Sequence, residues 1–171
     1  YANGPPVWRS KVTRRRNATI RRIALSTGGG DAPGLNAVIR GVVMTAHQHG
    51  WECIGIRNGY DGLLDARLHK DGLVQLTPER VSGITNLGGT IIGTTNAGNP
   101  FKYPVRTAKG LEERDLSGKV LDALGHAGVD ALVAIGGDGS LRVARRLADM
   151  GLRVVGVPKT IDNDLEETVI T

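Results

Sequence analysis

The sequence VVGVPKTIDND, residues 154–164, joins an apolar strand to a loop crowded with polar side chains. Its opening residues are mostly β-branched, which is typical of a strand buried in a parallel sheet. Pro158 ends that strand because it has no N–H to donate to a neighbour. The loop presents an ammonium, a hydroxyl and two carboxylates, from Lys159, Thr160, Asp162 and Asp164. Ligands in open α/β sheets bind beyond strand carboxyl ends, so this loop is a candidate site, although a polar turn with an Asx cap has the same pattern.

Two further loops rich in glycine follow predicted strands. Residues 22–26 lead into TGGGDAPG at 27–34, and residues 131–135 lead into GGDGS at 136–140. Apolar residues then recur at helical spacing after each loop. A strand, a glycine-rich loop and a helix together place backbone N–H groups around a phosphate. A glycine-rich turn with Asp138 as a helix cap would have the same appearance.

The rest of the chain also alternates between strand and helix patterns. Additional strands are predicted at 52–56, 73–76 and within 88–101, and additional helices at 77–84 and 116–124. Alternation of this kind predicts a three-layer α/β/α lobe with a largely parallel sheet. The strands at 22–26, 131–135 and 154–157 should lie parallel in that one sheet.

Positive charge is concentrated at the start of the chain. The 171 residues carry a net charge of +5, yet residues 1–22 hold seven bases and no acids, and the remainder holds 15 bases against 17 acids. Residues 1–20 are therefore predicted to form a basic, disordered extension. Trp8 is the only aromatic residue close to these bases, so we expect a solvated arm rather than a nucleic-acid partner.

Composition restricts the setting of the protein. Cys53 is the one cysteine, which excludes an internal disulfide and fits a reducing compartment. No apolar run reaches the length of a membrane span, and no signal-peptide core is apparent near Tyr1. We expect a cytoplasmic protein with no membrane association, and both ends of the sequence look cut.

Two stretches carry a family resemblance. PKTIDND at 158–164 resembles the sugar-phosphate loop of the phosphofructokinase family, and GGDAPGLNA at 29–37 resembles its first nucleotide-contacting loop. The resemblance covers about residues 21–165. It implies that residues 21–171 form the N-terminal nucleotide-binding lobe of a phosphofructokinase-like fold, truncated before the second lobe is complete. The implied reaction is the ATP-dependent phosphorylation of fructose 6-phosphate to the 1,6-bisphosphate in glycolysis, by a homo-oligomer that requires Mg²⁺.

The resemblance also assigns roles to individual residues. Asp162 matches the base that removes the proton from the sugar hydroxyl, and Thr160, Asp162 and Asp164 match the sugar-binding positions. Asp138 matches the ligand of Mg²⁺, which an aspartate beside phosphates requires. Nucleotide and phosphate contacts are implied at Gly29, Gly30, Tyr60, Gly137, Asp138, Gly139, Ser140 and Lys159. The GGDG motif also occurs in NAD, diacylglycerol and sphingosine kinases, so by itself it indicates a phosphoryl donor rather than an acceptor.

Three positions leave alternatives open. Relatives usually carry an arginine at or beside Ala97, so either Lys102 or Arg106 replaces it or the transferring phosphate is less well neutralised. Gly139 favours ATP as donor, whereas Lys159 resembles the branch that uses pyrophosphate, so a pyrophosphate-dependent phosphotransferase is the alternative.

A second alternative is a non-catalytic nucleotide-binding fragment whose basic arm binds a polyanion. We expect these 171 residues alone to show no turnover.

Overall fold

The computed structural model describes residues 19–65, 71–108 and 110–160. Its strands are β1 (Arg22–Thr27), β2 (Glu52–Ile56), β3 (Leu73–Leu76), β4 (Tyr103–Thr107), β5 (Gly110–Arg114), β6 (Ala131–Gly136) and β7 (Val154–Pro158). Its α-helices are α1 (Leu35–Gln48), α2 (Asp61–Leu64), α3 (Ser117–His126) and α4 (Asp138–Asp149). In the described part of the chain, short 3₁₀ helices span Ile84–Asn86 and Pro100–Lys102.

Five strands form the central sheet in the order β3-β2-β1-β6-β7. β1, β2, β6 and β7 run parallel, and β3 pairs antiparallel with β2 at the edge. In register, Ile23 faces Ala131 across β1 and β6, and Leu132 faces Val154 across β6 and β7. The predicted parallel arrangement of these three apolar strands is therefore confirmed.

Helices cover both faces of the sheet because successive strand residues point to opposite sides. On one face Ile23 and Leu25 of β1 join a core with the apolar stripe of α1, formed by Leu35, Ile39, Val43 and Ala46. On the other face Ala24 and Leu132 join a core with residues of α3 and α4, namely Val120, Leu124, Ala144 and Leu147. The predicted three-layer α/β/α architecture is thus confirmed.

The helix predicted at 77–84 is wrong. Turns occupy residues 78–83, followed by the 3₁₀ helix Ile84–Asn86. Thr77 caps the first turn as expected, since its hydroxyl accepts from the Arg80 N–H at 3.3 Å. Gly83 then adopts a φ of 74°, a left-handed conformation that an α-helix cannot contain. The N-cap and proline signals therefore started one turn rather than a helix.

The strand predicted within 88–101 is also absent, and an irregular segment takes its place. Side chains rather than a strand ladder hold it. The buried Asn36 amide donates to the Leu87 and Gly88 carbonyls at 3.0 and 3.2 Å, and its oxygen accepts from the Ile91 N–H at 2.9 Å. The antiparallel hairpin of β4 and β5, which follows this segment, was missed by the sequence patterns.

Some predictions fall outside the described residues. These are the extension at 1–20, apart from residues 19 and 20, and the two carboxylates Asp162 and Asp164. Within the part of the chain that the structure describes, no helix combines the length and the apolar character needed to cross a membrane.

Candidate active site

A cleft of about 500 Å³ opens at the carboxyl ends of the neighbouring strands β1 and β6. β1 continues through α1 to β2 on one side, whereas β6 continues through α4 to β7 on the other. The carboxyl ends of the adjacent strands β1 and β6 therefore have loops that turn away from each other. Such a switch point is where open α/β sheets bind their ligands. The cleft is lined by residues that follow β1, β6 and β7, among them Gly29, Gly30, Gly137, Asp138, Gly139, Ser140, Lys159 and Thr160.

The loop after β1 is tied to two neighbours by its backbone. The Gly28 N–H donates to the Ile135 carbonyl at 2.9 Å, and the Gly29 N–H donates to the Thr95 carbonyl at 3.2 Å. Gly29 has a φ of 85°, which side chains rarely allow. The turn thus needs glycine for its conformation, and it brings the Gly29–Gly30 backbone to the wall of the cleft.

The loop after β6 packs against the β1 loop more closely than side chains would permit. A Cβ on Gly136 would lie 2.6 Å from the Ser140 Cβ and 2.8 Å from the Gly28 carbonyl oxygen. A Cβ on Gly28 would collide with the Ser140 hydroxyl. Gly28 and Gly136 are therefore site residues that the sequence reasoning missed. Their positions were the available signal for a close contact, since Gly28 directly follows β1 and Gly136 is the last residue of β6.

The N-terminus of α4 faces this junction. The helix begins at Asp138, with Gly137 in extended conformation as its N-cap. The first N–H groups of a helix have no partners within it, and they carry partial positive charge. Because Gly139 and Ser140 line the cleft, these groups are placed where an anion would bind.

Lys159 connects the loops after β7 and β1. Its backbone N–H donates to the Gly136 carbonyl at 2.9 Å, which extends the pairing of β7 with β6 beyond Pro158. Its ammonium donates to the Gly30 carbonyl. Among the described residues that line the cleft, Lys159 is the one cation. Thr160 lies next to it at the cleft wall, half-buried, and the chain continues from there towards Asp162.

Tyr60 lines the cleft but is mostly buried. It packs in the core beneath α3 and α4, with 7% of its surface exposed. Burial raises the pKa of its hydroxyl well above the usual range, so the phenol stays neutral. Tyr60 can therefore present an apolar ring to a ligand, and it contributes no charge.

Among the described residues that line the cleft, Asp138 is the one that carries a carboxylate. Within residues 19–65, 71–108 and 110–160, no group of three or more metal-binding side chains is gathered in one place. A single exposed carboxylate at the cleft, as at Asp138, fits Mg²⁺, which keeps several waters and binds proteins through one or two carboxylates plus substrate phosphates. Both oxygens of Asp138 accept from Arg142, one turn further along α4, at 3.0 and 2.7 Å.

The segment after Gly93 forms a wall of the cleft, and the resemblance had placed only position 97 of it beside the transferring phosphate. Thr95, Asn96 and Gly98 line the cleft, and the Thr94 hydroxyl donates to the Gly29 carbonyl at 2.7 Å. The run of small polar residues was the sequence signal for this wall. Its contact with the Gly29 loop could not be predicted, because the two segments are more than 60 residues apart in the chain. Ala97 is exposed here.

Neither of the bases considered as replacements for an arginine at position 97 lines this cleft. Arg106 lies instead in β4 and lines a second cleft of about 260 Å³, together with Arg114 and Lys119. Lys102 is exposed at the end of a 3₁₀ helix. In the described structure the central cleft therefore has no arginine among its lining residues.

Known proteins are similar to this chain in sequence and in fold. The family model described as "Phosphofructokinase" matches residues 22–171. An ATP-dependent 6-phosphofructokinase 2 of Clostridium perfringens is 48% identical over 154 residues, 89% of this chain and 41% of the relative. A pyrophosphate–fructose 6-phosphate 1-phosphotransferase of Dictyoglomus thermophilum is 45% identical over 150 residues, 88% of this chain and 39% of the relative.

A solved structure shows the same similarity. The Pichia pastoris phosphofructokinase in the T-state superposes with a TM-score of 0.74 at 31% identity, over 90% of this chain and 17% of that one. The chain spans about two fifths of the length of the curated relatives it matches.

Proposed function

This chain belongs to the phosphofructokinase family, and on that premise we propose that the protein transfers the terminal phosphoryl group of ATP to the 1-hydroxyl of fructose 6-phosphate. The observation that carries the proposal is the cleft at the switch point, where the loops after β1, β6 and β7 converge. Phosphoryl transfer requires positioning and charge neutralisation more than covalent chemistry, and these loops offer both.

The donor phosphates are bound by backbone and by one side chain. The glycines at 29–30 let the donor approach the backbone without a bulky side chain in the way, and the first turn of α4 offers N–H groups. The ammonium of Lys159, already beside Gly30, adds a positive charge at the same wall. Dipoles and charges fixed in advance stabilise the charge of the transferring group without reorganisation.

Asp138 would hold Mg²⁺. When bound, the ion neutralises charge on the donor phosphates. Asp138 suits this role because its carboxylate is exposed at the cleft and lies at the start of α4, next to the phosphate-binding turn.

The acceptor sugar is assigned to the loop after β7. We place Thr160 and Asp164 as contacts that orient the sugar phosphate and its hydroxyl, and Asp162 as the general base. Support comes from the position of Thr160 at the cleft and from the match of PKTIDND to the family loop. A positioned base contributes about 10²–10⁴-fold to the rate.

Pyrophosphate as donor is the second candidate, favoured by Lys159 in the cleft and by relatives named for that activity. Gly139 favours ATP. It lines the cleft, and a Cβ there would meet no atom within 4 Å, so space is available for a nucleoside. The relatives named for ATP include the 48% identical protein from Clostridium perfringens.

The test is a comparison of variants in the complete protein, assayed with ATP and with pyrophosphate. Asp162→Ser should lower kcat by about 10²–10⁴-fold with little change in the KM for fructose 6-phosphate, because the base acts in the transition state. Asp149→Ser, at the far end of α4, serves as the control and should retain kcat. A near-normal kcat in Asp162→Ser would remove the assignment of the base, and turnover with pyrophosphate alone would replace ATP by the second candidate.

A further inference from the structure

We propose that Arg142 is an exchangeable counter-ion at the donor site. In the ligand-free protein it neutralises Asp138, and when the donor arrives it moves from that carboxylate to the donor's phosphate oxygens. The consequence is that Arg142 weakens the binding of a divalent cation to Asp138 as long as no polyphosphate is present. The inference rests on the proposed function, since it assumes that Asp138 faces donor phosphates.

The geometry of the pair is bidentate. The Arg142 Nε lies 3.0 Å from Asp138 Oδ1, and Nη2 lies 2.7 Å from Oδ2. Parallel N–H donors of this kind match a carboxylate and a phosphate equally well. The guanidinium therefore occupies the side of the carboxylate where it would compete with a metal ion for the oxygens.

Metal binding and the ion pair oppose each other when no phosphate is present. A divalent cation on Asp138 would lie close to the guanidinium, and the two positive charges repel. Phosphate oxygens reverse this situation because they add several negative charges to the same place. The divalent cation and the guanidinium can then both bind, because the phosphate oxygens neutralise both positive charges. The guanidinium also gains a phosphate as a second partner of suitable shape.

The exchange is easy because the pair is exposed. The side chain of Arg142 is 78% exposed and that of Asp138 is 55% exposed. Exposed ion pairs contribute little to stability, so breaking this one for a phosphate has a small energetic cost. The need for a mobile cation is evident in the cleft, where Lys159 is the one positive side chain among the described lining residues and position 97 is alanine.

The same helix offers a matched control. Arg145 pairs with Asp149 at the same spacing, with Nε 3.1 Å from Oδ1 and similar exposure of 80% and 62%. The carboxylate of this control pair, Asp149, does not line the cleft, whereas Asp138 does. Any general effect of removing an arginine from α4 should therefore appear equally in Arg145→Met and Arg142→Met.

The experiment measures binding by calorimetry in the complete protein, with three titrations: Mn²⁺ alone, ATP in EDTA, and ATP with Mg²⁺. We expect Arg142→Met to bind Mn²⁺ alone about two- to fivefold more tightly and metal-free ATP about two- to fivefold more weakly, the range that exposed pairs support. Arg145→Met should match the wild type in both. Urea unfolding of each variant establishes that the fold is retained.

Each result has a defined meaning. If Arg142→Met and Arg145→Met bind Mn²⁺ alike, Arg142 is not a counter-ion that competes with the metal. If they bind metal-free ATP alike, the exchange onto phosphate is wrong. If wild type and Asp138→Ala bind ATP with the same dependence on Mg²⁺, the proposed metal ligand itself is wrong, and that failure is separate from the behaviour of Arg142.

Discussion

Gly139 is the second residue of α4, it lines the cleft, and a Cβ built there would meet no atom within 4 Å. The backbone of the protein therefore accepts a side chain at this position, and a ligand is what would limit it. If ATP binds as we propose, a carboxylate there would lie against the phosphate that links the nucleoside to its polyphosphate. This single residue is the place where the choice between ATP and pyrophosphate can be tested.

We predict that Gly139→Asp sharply reduces the use of ATP and largely preserves any use of pyrophosphate. Two like charges about 4 Å apart repel by roughly 4 kcal/mol at an effective dielectric of 20, which corresponds to a loss of two to three orders of magnitude. The measurement is kcat/KM for each donor. Gly118→Asp is the matched control, since Gly118 is the second residue of α3 and its Cβ would also meet nothing. Equal use of ATP by the Gly139→Asp variant and the wild type would contradict the prediction.

Cys53 is a residue whose chemistry is determined by burial. It lies in β2 with 3% of its surface exposed, and burial raises the pKa of its thiol from 9.0 to about 11. The folded protein therefore keeps this proton at pH values where the unfolded chain releases it. The resulting stability is complete below pH 9 and is lost as the pH rises towards 11.

We predict that the wild type loses more stability than Cys53→Ala between pH 8 and pH 10.5. The thiol of the folded wild type should also react slowly with a disulfide reagent at pH 8 and rapidly in urea. Urea unfolding midpoints at the two pH values provide the first measurement, and the labelling rate provides the second. Equal loss in both proteins, with fast labelling of the folded state, would show that Cys53 is accessible and titrates normally.

At the scale of elements, the site depends on how closely β1, β6 and α4 approach one another. The Gly28 carbonyl, Gly136 and Ser140 meet at one point, and the bond from the Gly28 N–H to the Ile135 carbonyl fixes the same junction. By contrast, a Cβ on Gly30 would meet nothing within 4 Å, and its φ lies outside the left-handed region. The packing of the protein therefore requires glycine at position 136, whereas neither packing nor backbone conformation requires it at position 30.

We predict that Gly136→Ala destabilises the fold by about 1–3 kcal/mol, because the added methyl group would overlap backbone and side-chain atoms that cannot both move. Gly30→Ala should be neutral or more stable by up to about 1 kcal/mol, since alanine restricts the unfolded chain. Urea denaturation of the two variants provides the comparison. If both variants have the wild-type midpoint, the junction is looser than its geometry indicates.

At the scale of the whole molecule, charge is divided between the start of the chain and the folded lobe. Residues 1–22 hold seven bases and no acids, and the remaining residues hold 15 bases and 17 acids. The charged residues that line the described cleft are Lys159 and Asp138, which are far from this basic segment in sequence. Donor binding and retention on a polyanion should therefore be separable properties.

We predict that deletion of residues 1–18 leaves ATP affinity within about twofold of wild type and removes salt-dependent retention on heparin. Calorimetry in 0.15 M salt and elution from the column provide the two measurements. A large loss of ATP affinity would place the arm at the donor site. Unchanged retention would show that the polyanion binds to the folded lobe instead.

The sequence was sufficient for features that depend on neighbouring residues. The apolar runs at 22–26, 52–56 and 131–135 predicted strands, and the helical spacing of Leu35, Ile39 and Val43 predicted α1 with its buried face. The same local patterns predicted the loops that follow the strands at 22–26, 131–135 and 154–157. Where a local signal was weak or contradicted, as at Gly83 and within 88–101, the prediction was wrong.

The tertiary structure decided which of those loops meet. The order β3-β2-β1-β6-β7 places β1 beside β6, more than 100 residues later in the chain, and so creates the switch point. It also brings the Lys159 ammonium to Gly30 and places Thr95 and Asn96 in the wall of the cleft. The spacing of Asp138 and Arg142 is local, but its relevance to a phosphate donor depends on this arrangement. Periodicity is a property of adjacent residues, whereas strand order results from burying the whole apolar surface at once, which no single stretch encodes.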